Sequence, residues 1–221
     1  MNNILFILVL LLSLGNGVAT SHSKRALVIG IGQQEDKNWG TINGEKDVAY
    51  VQKMLKNAVY KDVRTLINKQ DTKKRIVAAF KSLTSICKLG DVAYVHFLGH
   101  GQQVTDVNGD EWSNSLDEAW IPYDAYLTYG EKDKGEKHLI DDEVNVLLTA
   151  IKNKIGNKGK MLVVVDASHS GDSSHGDDDD DGVVTRGVWN EFIIPGVKTA
   201  KATKALERWL MLSACKDFKL N

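Results

Sequence analysis

The sequence predicts an α/β fold: a mostly parallel central sheet with helices on both faces. Three observations carry the prediction. Short, nearly continuous apolar runs recur along the chain, as strands buried on both faces require. Segments with a helical apolar stripe separate them, and such alternation implies right-handed crossovers. Two of the runs end in loops of small and polar residues, Gly99-His100-Gly101 and Asp166-Ala167-Ser168-His169-Ser170-Gly171, the form taken by sites at strand carboxyl ends.

The elements follow in order. Arg25 to Ile31 reads as the first strand. Glu45 to Ala58 places Val48, Val51, Leu55 and Ala58 on one helical face, with Asn43 as cap. Asp62 to Ile67 is the second strand. Thr72 to Cys87 aligns Ile76, Ala79, Phe80, Leu83 and Ile86, capped by Asp71 and stopped by Gly90. Asp91 to Leu98 is the third strand. The polar stretch from Gly99 to about Leu139 is too long for an ordinary connection, so it is functional or carries small strands of its own. A helix over Asp142 to Ile155 buries Val144, Leu147, Leu148 and Ile151; Lys160 to Val165 and Arg208 to Ala214 complete the strands. No internal repeat or second domain is signalled.

With 221 residues, 43% hydrophobic and 26% charged, the chain can build one sizeable domain. A formal net charge of -1 gives no electrostatic argument for a nucleic-acid partner. Ile4 to Leu14 is an apolar run short of a membrane span, followed by small residues at Gly17 and Ala19. Residues 1–19 therefore read as a secretory signal peptide, giving a secreted or periplasmic protein with no stable membrane span after its removal. A retained anchor is the alternative, because Met1-Asn2-Asn3 carries no basic residue. Cys87 and Cys215 sit in no metal-spaced or redox motif and read as two ordinary buried thiols.

His100 leaves the third strand and Ser168 the fourth. If those strands are neighbours, both side chains meet in one crevice, and this joint placement is the core of the functional reading. Taken singly, a loop histidine and a serine cap would each be unremarkable.

Four segments then resemble, in order, the motifs of metacaspase-type caspase-fold cysteine peptidases. They are Phe97-Leu98-Gly99-His100-Gly101-Gln102, Asp117-Glu118-Ala119-Trp120-Ile121-Pro122-Tyr123-Asp124, Leu139-Ile140-Asp141-Asp142-Glu143-Val144, and Asp166-Ala167-Ser168-His169-Ser170-Gly171-Asp172. The resemblance implies a caspase-like three-layer sandwich over residues 24–221. It also implies an endopeptidase that cleaves after arginine or lysine through a thioacyl intermediate. His100 matches the catalytic histidine, and Ser168 stands where the family carries its nucleophilic cysteine. Backbone N–H groups of Gly101 and residue 168 would hold the oxyanion. Asp166 would floor the pocket for the basic side chain, and Asp47 would be a second acidic pocket residue. The other readings are a loop-capping carboxylate for Asp166 and a solvated first-turn carboxylate for Asp47.

Calcium is the one cofactor implied, at Asp117, Asp141, Asp142 and Asp177. A helix cap for Asp141 and a solvated acidic loop for Asp177 to Asp181 are the alternatives. The partners implied are proteins or peptides with basic residues, and self-processing at Arg186, Lys198, Lys201 or Lys204. The sequence departs from the family at Leu98, where a serine is usual, and stops at Asn221, where a further helix and strand are usual. The second departure suggests truncation after Asn221 or self-association through an exposed fifth strand.

A serine needs a closely held base that a cysteine does not, and no Gly-x-Ser-x-Gly elbow surrounds Ser168. The chain as written is therefore expected to have little or no peptidase activity. A pseudopeptidase that binds basic peptides or a partner, and a calcium-binding interaction domain, are the other functional classes.

Overall fold

The computed structural model describes residues 22–109, 115–167, 190–197 and 209–213. Its elements are β1 (Lys24–Gly30), α1 (Gly44–Asn57), β2 (Asp62–Ile67), a short 3-10 turn (Asn68–Gln70), α2 (Lys73–Ile86), β3 (Val92–Leu98), β4 (Gly101–Thr105), β5 (Leu116–Trp120), β6 (Leu139–Ile140), α3 (Asp141–Ile155), β7 (Lys160–Asp166) and β8 (Leu210–Ser213). Among the described residues the main sheet runs β2-β1-β3-β7-β8, and every pairing in it is parallel. The expected neighbours, β3 and β7, pair directly in a register that sets Leu98 beside Asp166.

Alternation along the strands builds the three layers. Leu27, Ile29, Val95, Phe97, Val163 and Val165 face one way, against Ile76, Phe80 and Leu83 of α2 and Val144, Leu148 and Ile151 of α3. Ala26, Val28, Tyr94, Leu98 and Leu162 face the other way, against Val48, Val51 and Leu55 of α1. Each fully buried large apolar side chain contributes about 1.5–3 kcal/mol over its exposed state. The strands are apolar on both faces because both faces are covered.

Two helix starts differ from expectation. Thr72, not Asp71, caps α2, its hydroxyl accepting from the Arg75 N–H at 3.4 Å. Asp71 turns inward instead and is fully buried. Asn43 stands at the start of α1, but its side chain accepts from the Lys46 ammonium at 2.9 Å and caps no backbone N–H. Acidic Asp141, Asp142 and Glu143 suit the first turn of α3 through the helix dipole.

The long polar stretch does carry strands of its own, forming a second, antiparallel sheet β4-β5-β6. Residues 190–194 dock beside β4: the Phe192 N–H donates to Gln103 O at 2.8 Å and the Thr105 N–H to Phe192 O at 3.0 Å. Phe192 is thereby buried with Trp39, Val104, Ala119, Ile121 and Ala125 in a third apolar cluster. Cys87 is buried, and burial, with the field of Asp91, pushes its thiol up to about 11. Cys215 and residues 1–19 lie outside the described residues. No described helix is long and apolar enough to cross a membrane.

Candidate active site

β3 is the central strand, and its carboxyl end releases Gly99, His100 and Gly101 into the crevice above the sheet. His100 is only 2% exposed. Its Nε2 lies 2.8 Å from Gly40 O, and its ring packs against Trp39 with centroids 5.1 Å apart. A carbonyl accepts only, so Nε2 is the donor in that contact. The loop after β1 thus holds the ring plane, as a third catalytic acid does in Ser-His-Asp triads. Sequence reasoning passed over Trp39 and Gly40; an aromatic beside a glycine in a polar loop was the available signal.

Asp166 is the last residue of β7 and half-buried, and its carbonyl accepts from the Gly99 N–H at 3.3 Å. The end of β7 therefore lies immediately beside the histidine loop. Gly44 explains how α1 reaches the same place. A Cβ there would lie 2.3 Å from Ile31 O and 2.5 Å from Leu98 O, so only glycine lets the helix start sit on these strand ends. Asp47, half-buried, is carried in that first turn. Asp166 thus ends β7, and Asp47 lies in the first turn of a helix that starts against the ends of β1 and β3. Gly101 opens β4, buried and opposite Trp120. Ser168 lies outside the described residues, as do Asp177 and the basic residues Arg186, Lys198, Lys201 and Lys204.

The remaining acidic candidates lie on β5 and in the first turn of α3. Asp117 on β5 is 1% exposed, and Asp141 opens α3 and is also buried. Asp142 accepts from the Asn108 side-chain amide. The donor set is all carboxylate oxygen, as calcium prefers. Among the described residues, however, no three His, Cys, Asp or Glu side chains form a group able to hold a metal. The fit to a bound ion is therefore partial.

A surface cavity of about 530 Å³, lined by Lys73, Lys74, Val77, Lys81, Asp124 and Lys137 among others, takes no wall from His100, Asp47 or Asp166. Chemistry, not cavity size, marks the strand-end crevice as the site.

Comparison with known proteins gives the family. Residues 24–175 match the family model described as the metacaspase, peptidase C14 domain. The chain belongs to the metacaspase family. Its relatives include metacaspase-2 of Arabidopsis thaliana, 30% identical over 67% of this chain and 34% of the relative. Metacaspase-1A of Neurospora crassa is 28% identical over 68% of this chain and 32% of the relative. Among solved structures, protein GSU0716 from Geobacter sulfurreducens superposes with a TM-score of 0.53 at 28% identity, covering 67% of this chain and 52% of that one. The chain spans about a third of the length of these curated relatives. Metacaspases are cysteine peptidases.

Proposed function

We propose that this metacaspase chain is an endopeptidase domain for substrates with arginine or lysine before the scissile bond, with Ser168 at the nucleophile position and turnover largely lost in consequence. The observation that carries the reading is His100, buried and oriented through Nε2 by Gly40 O, at the strand end next to β7.

In the cysteine form of such a site, His100 Nδ1 takes the thiol proton as sulfur attacks the carbonyl carbon. The same proton passes to the leaving amine as the C–N bond breaks, and water then cleaves the thioester. Asp166 and Asp47 supply the negative field that a buried guanidinium or ammonium needs. A serine has no comparable supply of anion at neutral pH, so the same histidine is too weak a base for it.

The pocket outlives the nucleophile in this reading, so the domain retains binding of basic peptides. Calcium at Asp117, Asp141 and Asp142 belongs to the same proposal as a bound structural ion, and no step of the chemistry passes through it. Self-processing at Arg186, Lys198, Lys201 or Lys204 would require the cysteine form. Export through residues 1–19 completes the reading, and N-terminal sequencing of the mature protein starting near residue 20 is its check.

The decisive experiment assays Ser168→Cys and the unaltered chain on arginyl and lysyl peptides, with calcium and with chelator. Activity is expected only with the cysteine, and it should disappear in Ser168→Cys/His100→Ala. Equal hydrolysis by the unaltered chain, lost in Ser168→Ala, would overturn the account of the serine. Partner binding that depends on calcium and survives His100→Ala, without hydrolysis by either form, would favour an interaction domain.

A further inference from the structure

Asp36 is a buried carboxylate that the reaction scheme does not use. It lies in the loop between β1 and α1, outside every strand and helix, so side-chain bonds must fix the backbone there. One carboxylate oxygen accepts from the Asn38 N–H at 3.1 Å and from the Asn38 side-chain amide at 2.9 Å. The other accepts from the Leu127 N–H at 2.9 Å. The Asp36 carbonyl accepts from the Trp39 N–H at 3.3 Å, so carboxylate and carbonyl together fold residues 36–39 into a tight turn. Gly40 follows that turn, and its carbonyl is the one that holds His100 Nε2.

The loop is tied to a platform that itself belongs to the histidine. The Ile121 N–H donates to His100 O at 3.1 Å, and the Gln102 amide donates to Leu127 O at 3.0 Å. Residues 121–127 are therefore bound at both ends to the stretch that carries His100. Three bonds join this platform to the loop after β1. The Glu35 N–H donates to Tyr123 O at 2.8 Å, Trp39 Nε1 to Ala125 O at 3.1 Å, and the Leu127 N–H to Asp36. The circuit closes on one residue: it leaves the His100 backbone through Ile121, passes through Asp36 and Trp39, and returns to the His100 ring as Gly40 O. Within it, Asp36 alone binds both the platform and the turn that presents Gly40.

We propose that Asp36 is a positioning residue for His100: by tying the turn at residues 36–39 to Leu127, it sets the Gly40 carbonyl and the Trp39 ring on the imidazole. Asp36 touches neither substrate nor reacting atoms and acts through the loop that it holds. Its consequence for turnover rests on the reading of His100 as the group that transfers the proton.

Nitrogen-15 NMR of the imidazole in the full chain, with Ser168 unaltered, tests the positioning without requiring turnover. Two nearly isosteric variants weaken the circuit at different bonds. Asp36→Asn replaces one accepting oxygen by an amide nitrogen that only donates. Trp39→Phe keeps a ring on His100 and deletes the bond to Ala125 O. Amide exchange in β1 and β3 is the check on folding. In the parent, Nε2 should carry the proton of neutral His100 and exchange it slowly. In both variants that proton should exchange about tenfold faster while β1 and β3 keep their protection, as expected from the loss of one buried hydrogen bond in a local unit. In the Ser168→Cys background, Asp36→Asn should lower kcat on arginyl peptides about tenfold with KM little changed, because misplacement of a reacting group acts on the chemical step.

An Nε2 proton that exchanges as slowly in both variants as in the parent overturns the inference. So does a parent whose neutral His100 carries its proton on Nδ1, or an equal loss of protection in β1 and β3, which would mark Asp36 as merely structural. An active Ser168→Cys chain whose kcat Asp36→Asn leaves unchanged overturns this inference alone. An inactive Ser168→Cys chain in which both variants still loosen the Nε2 proton overturns the peptidase reading alone and supports Asp36 as the residue that positions the ring.

Discussion

The parallel sheet and the flank built from β4–β6 and the loops 31–43 and 121–138 meet at His100 but are held together differently. In the sheet, position is fixed by apolar packing from two sides: Phe97 stacks on Trp120 at 4.6 Å beneath the site, and every residue of β3 from Ala93 to Leu98 is buried. In the flank, position is fixed by buried polar side chains binding backbone. Asp36 accepts from Leu127 N–H, Asp133 from Tyr126 N–H, and Gln102 clasps Leu127 and Asn190. Apolar packing is indifferent to pH, whereas buried titratable groups are not. The sheet should therefore set how stable the protein is, and the flank should set over what pH range the site stays assembled.

The strongest way to break this contrast is to remove packing from the sheet. Phe97→Ala should cost about 3–5 kcal/mol by urea denaturation at any pH from 5 to 9, since it opens a cavity under the Gly99-His100-Gly101 loop. A loss confined to one end of that range would contradict the division.

Next in size is Asp71, in the loop that binds Tyr123 N–H through its own carbonyl. Burial pushes its carboxyl up to about 8, against the opposing pull of the Asn68 backbone and Arg75. The folded state therefore holds a proton that the unfolded chain releases near pH 4. Stability from this group is complete below about pH 4 and is lost as pH rises through about 8. Asp71→Asn should be more stable than the parent at pH 9 by about 1–3 kcal/mol and show a flatter alkaline limb. Parallel pH dependences in the two proteins would remove Asp71 as the cause.

The smallest effect has the opposite sign. Burial draws His138 down to about 4, with Asp133 opposing and Lys73 assisting. A depressed histidine contributes stability above about pH 6.5 that is lost as pH falls toward 4. Acidification should expose the 190–194 segment to hydrogen exchange before the sheet, by about 1–2 kcal/mol of local opening. His138→Gln should flatten that acid limb.

The main sheet was legible because each strand and helix repeats its own period. Leu27, Phe80, Leu83 and Leu148 are buried where their spacing places them. The neighbourhood of the two candidate loops was legible where topology is simple: His100 follows β3 and Asp166 ends β7, and strand ends share one side of a parallel sheet. Asp71 illustrates the limit. An Asp before a helical stripe reads as a cap, yet Thr72 takes that place and the carboxyl is buried. No local rule distinguishes the two, since the outcome depends on whether loops from distant positions close over the side chain.

The sequence by itself determined the order of the elements and the faces that they bury, because periodicity is a local property. Only the tertiary structure decided what holds His100, since Gly40 and Trp39 reach it across a loop with no periodic signal. It alone showed that Gln102 ties Asn190 to β4, since such a bond depends on which backbone carbonyls the fold brings within 3 Å of one buried amide.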